Sequence, residues 1–150
     1  MPIVQTVFAT LFGSLLLLSS FNLNAKSLED FSLPLYNSEK TFQLKSERSK
    51  GLVVLNFWAT WCTACIKEIP ELEALKKKYT NKAQFFAVNA GDKPHQIGKF
   101  IKKHGFTYTV LSDKDKSFSK AQNVLELPRT MVVDQQGKVI YDSDKPPLKL

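Results

Sequence analysis

The apolar residues of this chain form two continuous runs, separated by a segment whose apolar positions recur at helical spacing. The runs GLVVLNFWA (51–59) and AQFFAVNA (83–90) predict strands that are buried on both faces. Between them, a helix is predicted from Cys62 to about Tyr79, with charged residues opposite its apolar stripe. The stripe consists of Cys65, Ile69, Leu72, Leu75 and Tyr79. This strand–helix–strand order is typical of a parallel βαβ unit.

The remainder of the chain continues the alternation and then changes to a hairpin. The further predicted elements are a helix over 95–104, a strand over 108–112, a helix over 116–123 and a hairpin over 130–142. Upstream, FSLPLYN and TFQLK are interpreted as short extended segments, and the tail SDKPPLKL is not expected to be helical. The chain is therefore predicted to be an α/β domain whose sheet begins parallel and ends with an antiparallel edge.

The first 25 residues differ from the rest because they contain no charged side chain. Their apolar run, VFATLFGSLLLL (7–18), is shorter than the roughly 20 residues that cross a bilayer. We predict that residues 1–25 are a signal peptide, cleaved between Ala25 and Lys26, or else an uncleaved N-terminal anchor. Either alternative places domain 26–150 outside the cytoplasm, as a periplasmic, secreted or membrane-anchored protein. Membrane contact is then expected only through the N-terminal segment, if that segment is retained.

The net charge of +7 and the isoelectric point near 9.4 belong entirely to residues 26–150. A basic domain of this kind raises the question of nucleic-acid binding. However, the lysines are scattered or lie on predicted helix faces, and no basic stripe alternates with aromatic residues that could stack on bases. We therefore expect no nucleic-acid partner. The lysines are interpreted as a solvated basic surface, able to steer acidic partners or to hold the domain near anionic lipid.

Both cysteines of the chain, Cys62 and Cys65, lie where the first buried strand ends and the long helix begins. Unpaired backbone N–H groups and the helix dipole at that point favour an anion, which lowers the pKa of the Cys62 thiol. Cys65 lies one turn further along, on the buried side. Cys62 is therefore expected to be an exposed nucleophile that forms a mixed disulfide, and Cys65 the thiol that resolves it. This redox-active disulfide is the only redox group we expect, with no separate cofactor.

Other functions for a Cys-x-x-Cys pair are less consistent with the sequence. Haem attachment needs a histidine directly after the second cysteine, and Ile66 occupies that position. Zinc binding would require the distant His95 and His104, and no second Cys-x-x-Cys motif exists. We therefore expect no metal site. A purely structural disulfide is also disfavoured, because closing so short a loop stabilises a fold little.

Two long segments carry a resemblance to a known family. The segments VVLNFWATWCTACIKEIPEL (53–72) and KPHQIGKFIKKHGFTYTVLSDKDKSFSKAQNVLELPRTMVVDQQGKVIY (93–141) resemble the TlpA/ResA-like branch of thioredoxin-fold oxidoreductases. This extracytoplasmic branch includes the reductases of cytochrome c maturation. The resemblance implies a thioredoxin fold, with a central mixed sheet of four or five strands and helices on both faces. It also implies a reversible dithiol–disulfide couple.

The end of the chain departs from the family pattern. Family members usually add a final helix that packs on the sheet, whereas this sequence ends nine residues after Tyr141. The C-terminal helix is therefore expected to be missing or short. We expect one face of the sheet to be partly bare as a result.

The resemblance assigns roles to several residues near the cysteines. Cys62 corresponds to the family's nucleophile, and Pro128 falls at its cis-proline, which faces the disulfide in space. A cis bond there would present the Leu127 backbone to an extended substrate strand, although a trans turn before a strand is the alternative. Trp61, next to the nucleophile, is expected to shield the thiol and contact substrate. Trp58 is expected in the core.

Proton transfer to the cysteines is expected to involve a glutamate. Asn56 stands where cytoplasmic thioredoxins carry a buried aspartate, and an amide cannot transfer a proton. Glu68 lies three residues beyond Cys65 and close to the apolar stripe, so burial should raise its pKa and let it exchange a proton with Cys65. TlpA/ResA-like proteins are similar in both respects. The alternative is a solvated Glu68 paired with Lys67 or Lys76.

Arg129 follows Pro128 at a position where the family often has a small or hydroxylic residue. A permanent cation there would favour a thiolate or an acidic client. The alternative is an ordinary surface role.

These features together predict a thiol–disulfide oxidoreductase that reduces disulfides of client proteins outside the cytoplasm. A membrane-linked thiol donor would regenerate its dithiol. A disulfide oxidant or isomerase is the alternative among enzymes. Outside enzymes, the alternative is a thioredoxin-like binding module without turnover.

Overall fold

The computed structural model describes residues 26–150. The predicted signal peptide or anchor over residues 1–25 therefore lies outside the described residues. Between residues 26 and 150, no helix combines the length and the apolar character that crossing a membrane requires.

A five-stranded sheet forms the centre of the molecule, with spatial strand order β5-β4-β3-β6-β7. Its strands are β3 (Leu52–Trp58), β4 (Ala83–Ala90), β5 (Thr109–Asp113), β6 (Arg129–Val133) and β7 (Val139–Ser143). The helices are α1 (Leu44–Arg48), α2 (Thr63–Lys78), α3 (Pro94–His104) and α4 (Ser117–Ala121), and a small hairpin joins β1 (Ser32–Pro34) to β2 (Thr41–Gln43). Strands β3, β4 and β5 are parallel, whereas β6 and β7 pair antiparallel at one edge. The predicted mixed sheet and the thioredoxin-type arrangement are confirmed.

Alternation along β3 divides the core into two layers. Val54 and Trp58 point into the layer beneath α2 and α3, where Leu72 and Phe100 also pack. The Trp58 ring lies 4.7 Å from the ring of Phe100, which confirms that this tryptophan belongs to the core. Because the long helix α2 is anchored by this layer, the position of its first turn is fixed relative to the end of β3.

The opposite face of the sheet is covered by smaller elements. Phe57 packs there with Leu44 of α1, Phe118 of α4 and Phe42 of the small hairpin. The TFQLK segment was predicted to be extended, but only its first three residues are strand, and Leu44 begins α1 instead. Leu44 is completely buried, so burial of its side chain supports this short helix against the sheet.

The C-terminal tail folds back onto the domain. No helix follows β7 in the described chain, as predicted, and Ile140 on β7 is left 51% exposed. Pro146 and Pro147 are buried, and Leu150 packs against the core layer beneath α2. The Tyr141 hydroxyl donates a hydrogen bond of 2.8 Å to the Lys145 carbonyl, which turns the tail inward. The proline-containing segment therefore packs against the domain without forming a helix.

Candidate active site

Cys62 and Cys65 form a disulfide at the start of α2, with their Cα atoms 5.3 Å apart. Cys62 is the N-cap residue of the helix, and its backbone is extended, with φ −84° and ψ 99°. In this position the Cys62 Sγ accepts a hydrogen bond of 3.1 Å from the Cys65 backbone N–H. The sequence predicted that backbone amides would point towards the first sulfur, and the structure confirms this contact. An N–H group at a helix start stabilises a thiolate on the sulfur that it faces.

The burial of Cys62 differs from the prediction. Cys62 was expected to be exposed, but it is 5% exposed, and Cys65 is 4% exposed. Both belong to the core layer that contains Trp58. The reason is the capping geometry, since the Cys62 sulfur turns inward to accept the Cys65 amide and to form the disulfide with Cys65.

A buried carboxylate holds the loop in front of Cys62. Asp92 accepts hydrogen bonds from the Thr60 backbone N–H at 2.6 Å and from the Thr60 hydroxyl at 2.9 Å. The Asn89 side-chain amide donates a third bond of 2.8 Å, and the Asn89 oxygen in turn accepts the Asp92 N–H. Charged groups make the stronger protein hydrogen bonds. The end of β4 therefore fixes the loop that carries Trp61 and Cys62.

Glu68 lies half-buried on α2, one turn beyond Cys65. Its Oε2 atom is buried and has no hydrogen-bond partner. Burial, together with the negative charges of Glu71 and Asp144, raises the pKa of Glu68 from 4.5 to about 7. This agrees with the predicted raised pKa and places the carboxyl where it changes charge near neutral pH.

The alternative interpretation of Glu68, as a solvated residue in an ion pair, does not fit the contacts. The Lys76 ammonium donates both to the Thr107 carbonyl and to the Thr107 hydroxyl, at 2.8 Å each. Neither Lys67 nor Lys76 forms an ion pair with Glu68 within residues 26–150. The carboxyl of Glu68 is therefore not neutralised by either lysine.

The remaining predicted site residues lie on two loops. The Leu127–Pro128 peptide bond is cis, which confirms the predicted geometry and excludes the trans alternative. Trp61 is 67% exposed, so its indole is available to a ligand. A cleft lined by both Trp61 and Leu127 brings the loop before Cys62 together with the loop that ends at Pro128.

Arg129 forms an ion pair with a carboxylate of the neighbouring strand β7. Its Nε donates a hydrogen bond of 2.6 Å to Asp142 on β7, and the Lys26 ammonium contacts the other oxygen of the same carboxylate at 3.1 Å. Burial alone would raise the pKa of Asp142, but the hydrogen bonds from Arg129 and Lys26 outweigh it and keep that pKa below its usual value. This ion pair favours the surface interpretation of Arg129 over stabilisation of a thiolate.

The contacts of Asn56 are those of a structural residue. Its side chain is buried and donates a hydrogen bond of 3.1 Å to the Thr130 hydroxyl on β6.

As for metals, residues 26–150 contain no cluster of three or more histidine, cysteine, aspartate or glutamate side chains that could hold an ion.

Comparison with known proteins assigns the chain to a family. The model of the Redoxin family matches residues 23–148. The chain belongs to the Redoxin family. Among individual Redoxin relatives, the thioredoxin-like protein YneN of Bacillus subtilis is 39% identical over 116 residues, covering 75% of this chain and 66% of YneN. The thiol-disulfide oxidoreductase ResA of Bacillus thuringiensis is 36% identical over 104 residues, covering 69% of this chain and 60% of ResA. This chain thus spans just under two thirds of the length of these relatives.

Solved structures share the fold of this chain. A crystal structure provisionally described as the thiol:disulfide interchange protein DsbE of Chlorobium tepidum superposes with a TM-score of 0.73 at 27% identity, covering 82% of this chain and 86% of that one. A thiol-disulfide oxidoreductase from Bacteroides fragilis shares the fold, with a TM-score of 0.72 at 24% identity, covering 81% and 92% of the two chains. The predicted resemblance to ResA-like proteins is confirmed.

Sequence interpretation missed the Asp92 contacts entirely. The signal was available as an Asn89-Ala90-Gly91-Asp92 stretch at the end of a buried strand. Carboxyl ends of parallel strands meet at one edge of a sheet, so a polar pair at the end of β4 should lie beside the loop after β3.

We predict that Asp92→Ala destabilises this Redoxin domain by about 2–4 kcal/mol, because three donors, two on the part-buried Thr60 and one on the buried Asn89, lose a charged acceptor. Thr60→Val removes only the hydroxyl bond and should cost about 1 kcal/mol. The measurement is urea-induced unfolding of the oxidised protein. If Asp92→Ala lowers the free energy of unfolding no more than Thr60→Val does, Asp92 does not hold the loop before Cys62 in place.

The raised pKa of Glu68 predicts a pH-dependent stability. The folded protein holds the Glu68 proton more tightly than the unfolded chain, so Glu68 stabilises the fold below its unfolded pKa, and that contribution is lost as pH rises towards about 7. Wild type should therefore lose stability relative to Glu68→Gln between about pH 5 and about pH 8. Urea unfolding at both pH values measures this difference.

The exposed Glu39 supplies the matched control. Glu39→Gln should show the same pH dependence as wild type. If Glu68→Gln also follows wild type, Glu68 titrates as a solvated carboxyl and cannot serve as a proton donor near neutral pH.

Proposed function

We propose that this chain is an extracytoplasmic thiol–disulfide oxidoreductase that reduces disulfides of client proteins through Cys62 and Cys65. The observation that carries the proposal is the N-cap position of Cys62, whose sulfur both faces the Cys65 amide and forms the disulfide. Membership in the Redoxin family and similarity to proteins named thiol-disulfide oxidoreductases support it.

The order of the reaction steps follows from the difference in ionisation between the Cys62 and Cys65 thiols. In the reduced protein, the Cys62 thiolate attacks one sulfur of a client disulfide, forms a mixed disulfide and releases the first client thiolate. The Cys65 thiolate then attacks the Cys62 sulfur, forms the Cys62–Cys65 disulfide and releases the second client thiolate. Two electrons pass from the dithiol to the client. A membrane-linked thiol donor returns them by the reverse sequence.

Glu68 is assigned the proton transfer in the second step. The resolving attack needs the Cys65 thiol to lose a proton, and Cys65 lies further from the helix N-terminus than Cys62. A carboxyl with a pKa of about 7 accepts and returns a proton near neutral pH with little cost in either direction. Its position one turn along the same helix supports this role.

Direction, location and client class rest on the sequence. Thr63 and Ala64 between the cysteines supply no positive charge that would stabilise a thiolate strongly, which favours a reductant over a strong oxidant. The uncharged, apolar start of the chain supports an extracytoplasmic location. The resemblance to the reductases of cytochrome c maturation makes precursors with Cys-x-x-Cys disulfides the first clients to test.

Insulin reduction driven by dithiothreitol tests the enzymatic proposal. Wild type should accelerate the reduction, and Cys62→Ser should abolish the acceleration because it removes the nucleophile. Cys65→Ser should instead accumulate a mixed disulfide with its client, which non-reducing electrophoresis and mass spectrometry identify. Equal insulin reduction by wild type and Cys62→Ser would leave a binding module as the better description.

The order of ionisation is a separate prediction. In the reduced protein, iodoacetamide should label Cys62 well below the pH of about 8.5 at which an ordinary cysteine is half ionised. Cys65 should require a higher pH than Cys62, and Glu68→Gln should shift the labelling profile of Cys65 more than that of Cys62. Both cysteines lie on one tryptic peptide, so Cys62→Ser and Cys65→Ser are each titrated alone. Mass spectrometry then measures the labelled fraction of the single remaining cysteine. Two coincident profiles near the free value would contradict the mechanism.

A further inference from the structure

A groove of about 470 Å³ is lined by Trp61, the residue directly before Cys62, and by Leu127, the residue before the cis-proline. It extends from Trp61, on the loop before Cys62, to α4 and the segment 124–127 that leads to Pro128. We call it the Trp61 groove, and its lining residues are Trp61, Ala90, Lys116, Ser119, Lys120, Val124, Leu125, Glu126 and Leu127. Anything bound in the Trp61 groove therefore lies next to the residues that carry the reaction.

Two large apolar side chains of this groove face solvent. Trp61 is 67% exposed and Leu125 is 79% exposed. Each lies on a loop that adjoins the candidate active site, one directly before Cys62 and the other just before the cis peptide at Leu127. Apolar side chains exposed together beside a site mark a surface that another molecule covers.

The α4 side of the groove forms a basic wall that carries Lys116 and Lys120, and the fold fixes its position. The buried carboxylate of Asp113 accepts the backbone N–H groups of Phe118 and Ser119, at 3.1 and 2.8 Å, which holds the first turn of α4 against the sheet. Lys116 and Lys120 flank that turn. The basic wall is therefore attached to the core through a buried hydrogen-bonded group.

Gly91 leaves room for one of these lysines. A Cβ atom on Gly91 would lie 2.5 Å from the Lys116 Cε, so the absence of a side chain there lets the lysine stem lie across the backbone. Gly91 has a φ of +92°, and Lys116 itself has a φ of 62°, in the left-handed region that side chains rarely adopt. The backbone at Gly91, directly after β4, therefore helps to set the direction in which the Lys116 side chain extends.

The ammonium groups of this wall are held by no close contact within residues 26–150. Asp115, whose pKa is lowered by hydrogen bonds from Ser117 and to a smaller extent by the charge of Lys120, supplies a nearby negative charge without forming an ion pair with that lysine. In the described part of the chain, neither the Lys116 nor the Lys120 ammonium makes a hydrogen bond or an ion pair. Glu126 is the one carboxylate among the residues that line the groove, against two ammonium groups. A ligand with a carboxylate would complement this wall, whereas a cationic ligand would be repelled.

We propose that the Trp61 groove binds the client segment that flanks the reacting disulfide, and that it selects segments carrying both an apolar side chain and a carboxylate. The apolar side chain contacts Trp61 and Leu125, and the carboxylate faces Lys116 and Lys120. A protein segment fits this surface better than a free anion does, because a free anion would leave both apolar side chains uncovered. This inference rests on the proposed function, since it names the clients of that reaction.

Matched peptides test the charge preference. Two synthetic peptides, each closed by one intramolecular disulfide, differ only in carrying Leu-Glu or Leu-Lys next to the same cysteine. The second-order rate constant for their reduction by the reduced protein is measured by acid quenching and chromatography. Wild type should prefer the Leu-Glu peptide by about three- to tenfold at low salt, and the preference should shrink at about 0.5 M salt.

Variants assign that preference to the groove. Lys116→Gln/Lys120→Gln should bring the ratio of the two rate constants close to one, and Lys120→Glu alone should lower it if the double variant folds poorly. Lys102→Gln/Lys103→Gln removes two exposed charges from α3, outside the groove, and should keep the wild-type ratio. The ratio compares two peptides within one variant, so a general loss of activity does not change it.

A third peptide, with Ser-Glu in place of Leu-Glu, tests the apolar half of the proposal. Wild type should reduce the Leu-Glu peptide faster than the Ser-Glu peptide, and Leu125→Ser should diminish that difference. Equal rates on these two peptides in wild type would overturn the apolar requirement.

The charge proposal is overturned if wild type shows no Leu-Glu preference, or if Lys102→Gln/Lys103→Gln loses it as fully as the groove variant does. A failure of the proposed function would give a different result. If the protein is not an oxidoreductase, the reduced wild type will reduce neither the peptides nor the small neutral disulfide of 2-mercaptoethanol. Normal reduction of the neutral disulfide without any peptide preference would refute the groove while leaving the oxidoreductase in place.

Discussion

The contact between the Cys62 sulfur and the Cys65 backbone amide, in the first turn of α2, is the interaction on which the rest of the site depends. It exists because β3 ends and α2 begins within a few residues, so that Cys62 caps the helix and Cys65 follows one turn later. The Cys62 sulfur accepts a backbone hydrogen bond, which stabilises its thiolate. The two thiols therefore differ in how readily they ionise. The core layer beneath α2 holds the helix start rigidly against the sheet.

Two carboxylates near the cysteines illustrate how environment separates structural from chemical roles. Asp92 is buried but accepts hydrogen bonds from Thr60 and Asn89, so its charge is compensated and it fixes a loop. Glu68 has a buried oxygen without any partner, and burial raises its pKa to about 7. The fully bonded acid holds the backbone in place, whereas the unpartnered acid is able to change its protonation state near neutral pH.

Periodicity was sufficient to predict the large elements and insufficient for the small ones. Strands β3 and β4 and helix α2 were predicted to within a residue or two, because each buries a continuous or helical set of apolar side chains. Helix α1 was missed, since its five residues are too few to show a period, and its formation depends on burying Leu44 against the opposite face of the sheet. The tail was expected not to be helical, and it is not, but no sequence pattern predicted that Pro146 and Pro147 would be buried.

The sequence by itself predicted the cysteine pair, the helix that begins there, the cis-proline and the glutamate one turn along, because these features depend on local spacing and a family pattern. Only the tertiary structure decided that Cys62 is buried, that Asp92 holds the loop before it, that Asp142 engages Arg129 and that Lys116 lies over Gly91 beside Trp61. Each of these contacts joins residues from different elements of the sheet or its loops, or turns a side chain towards them. Their partners are therefore set by strand order and packing, which local sequence does not encode.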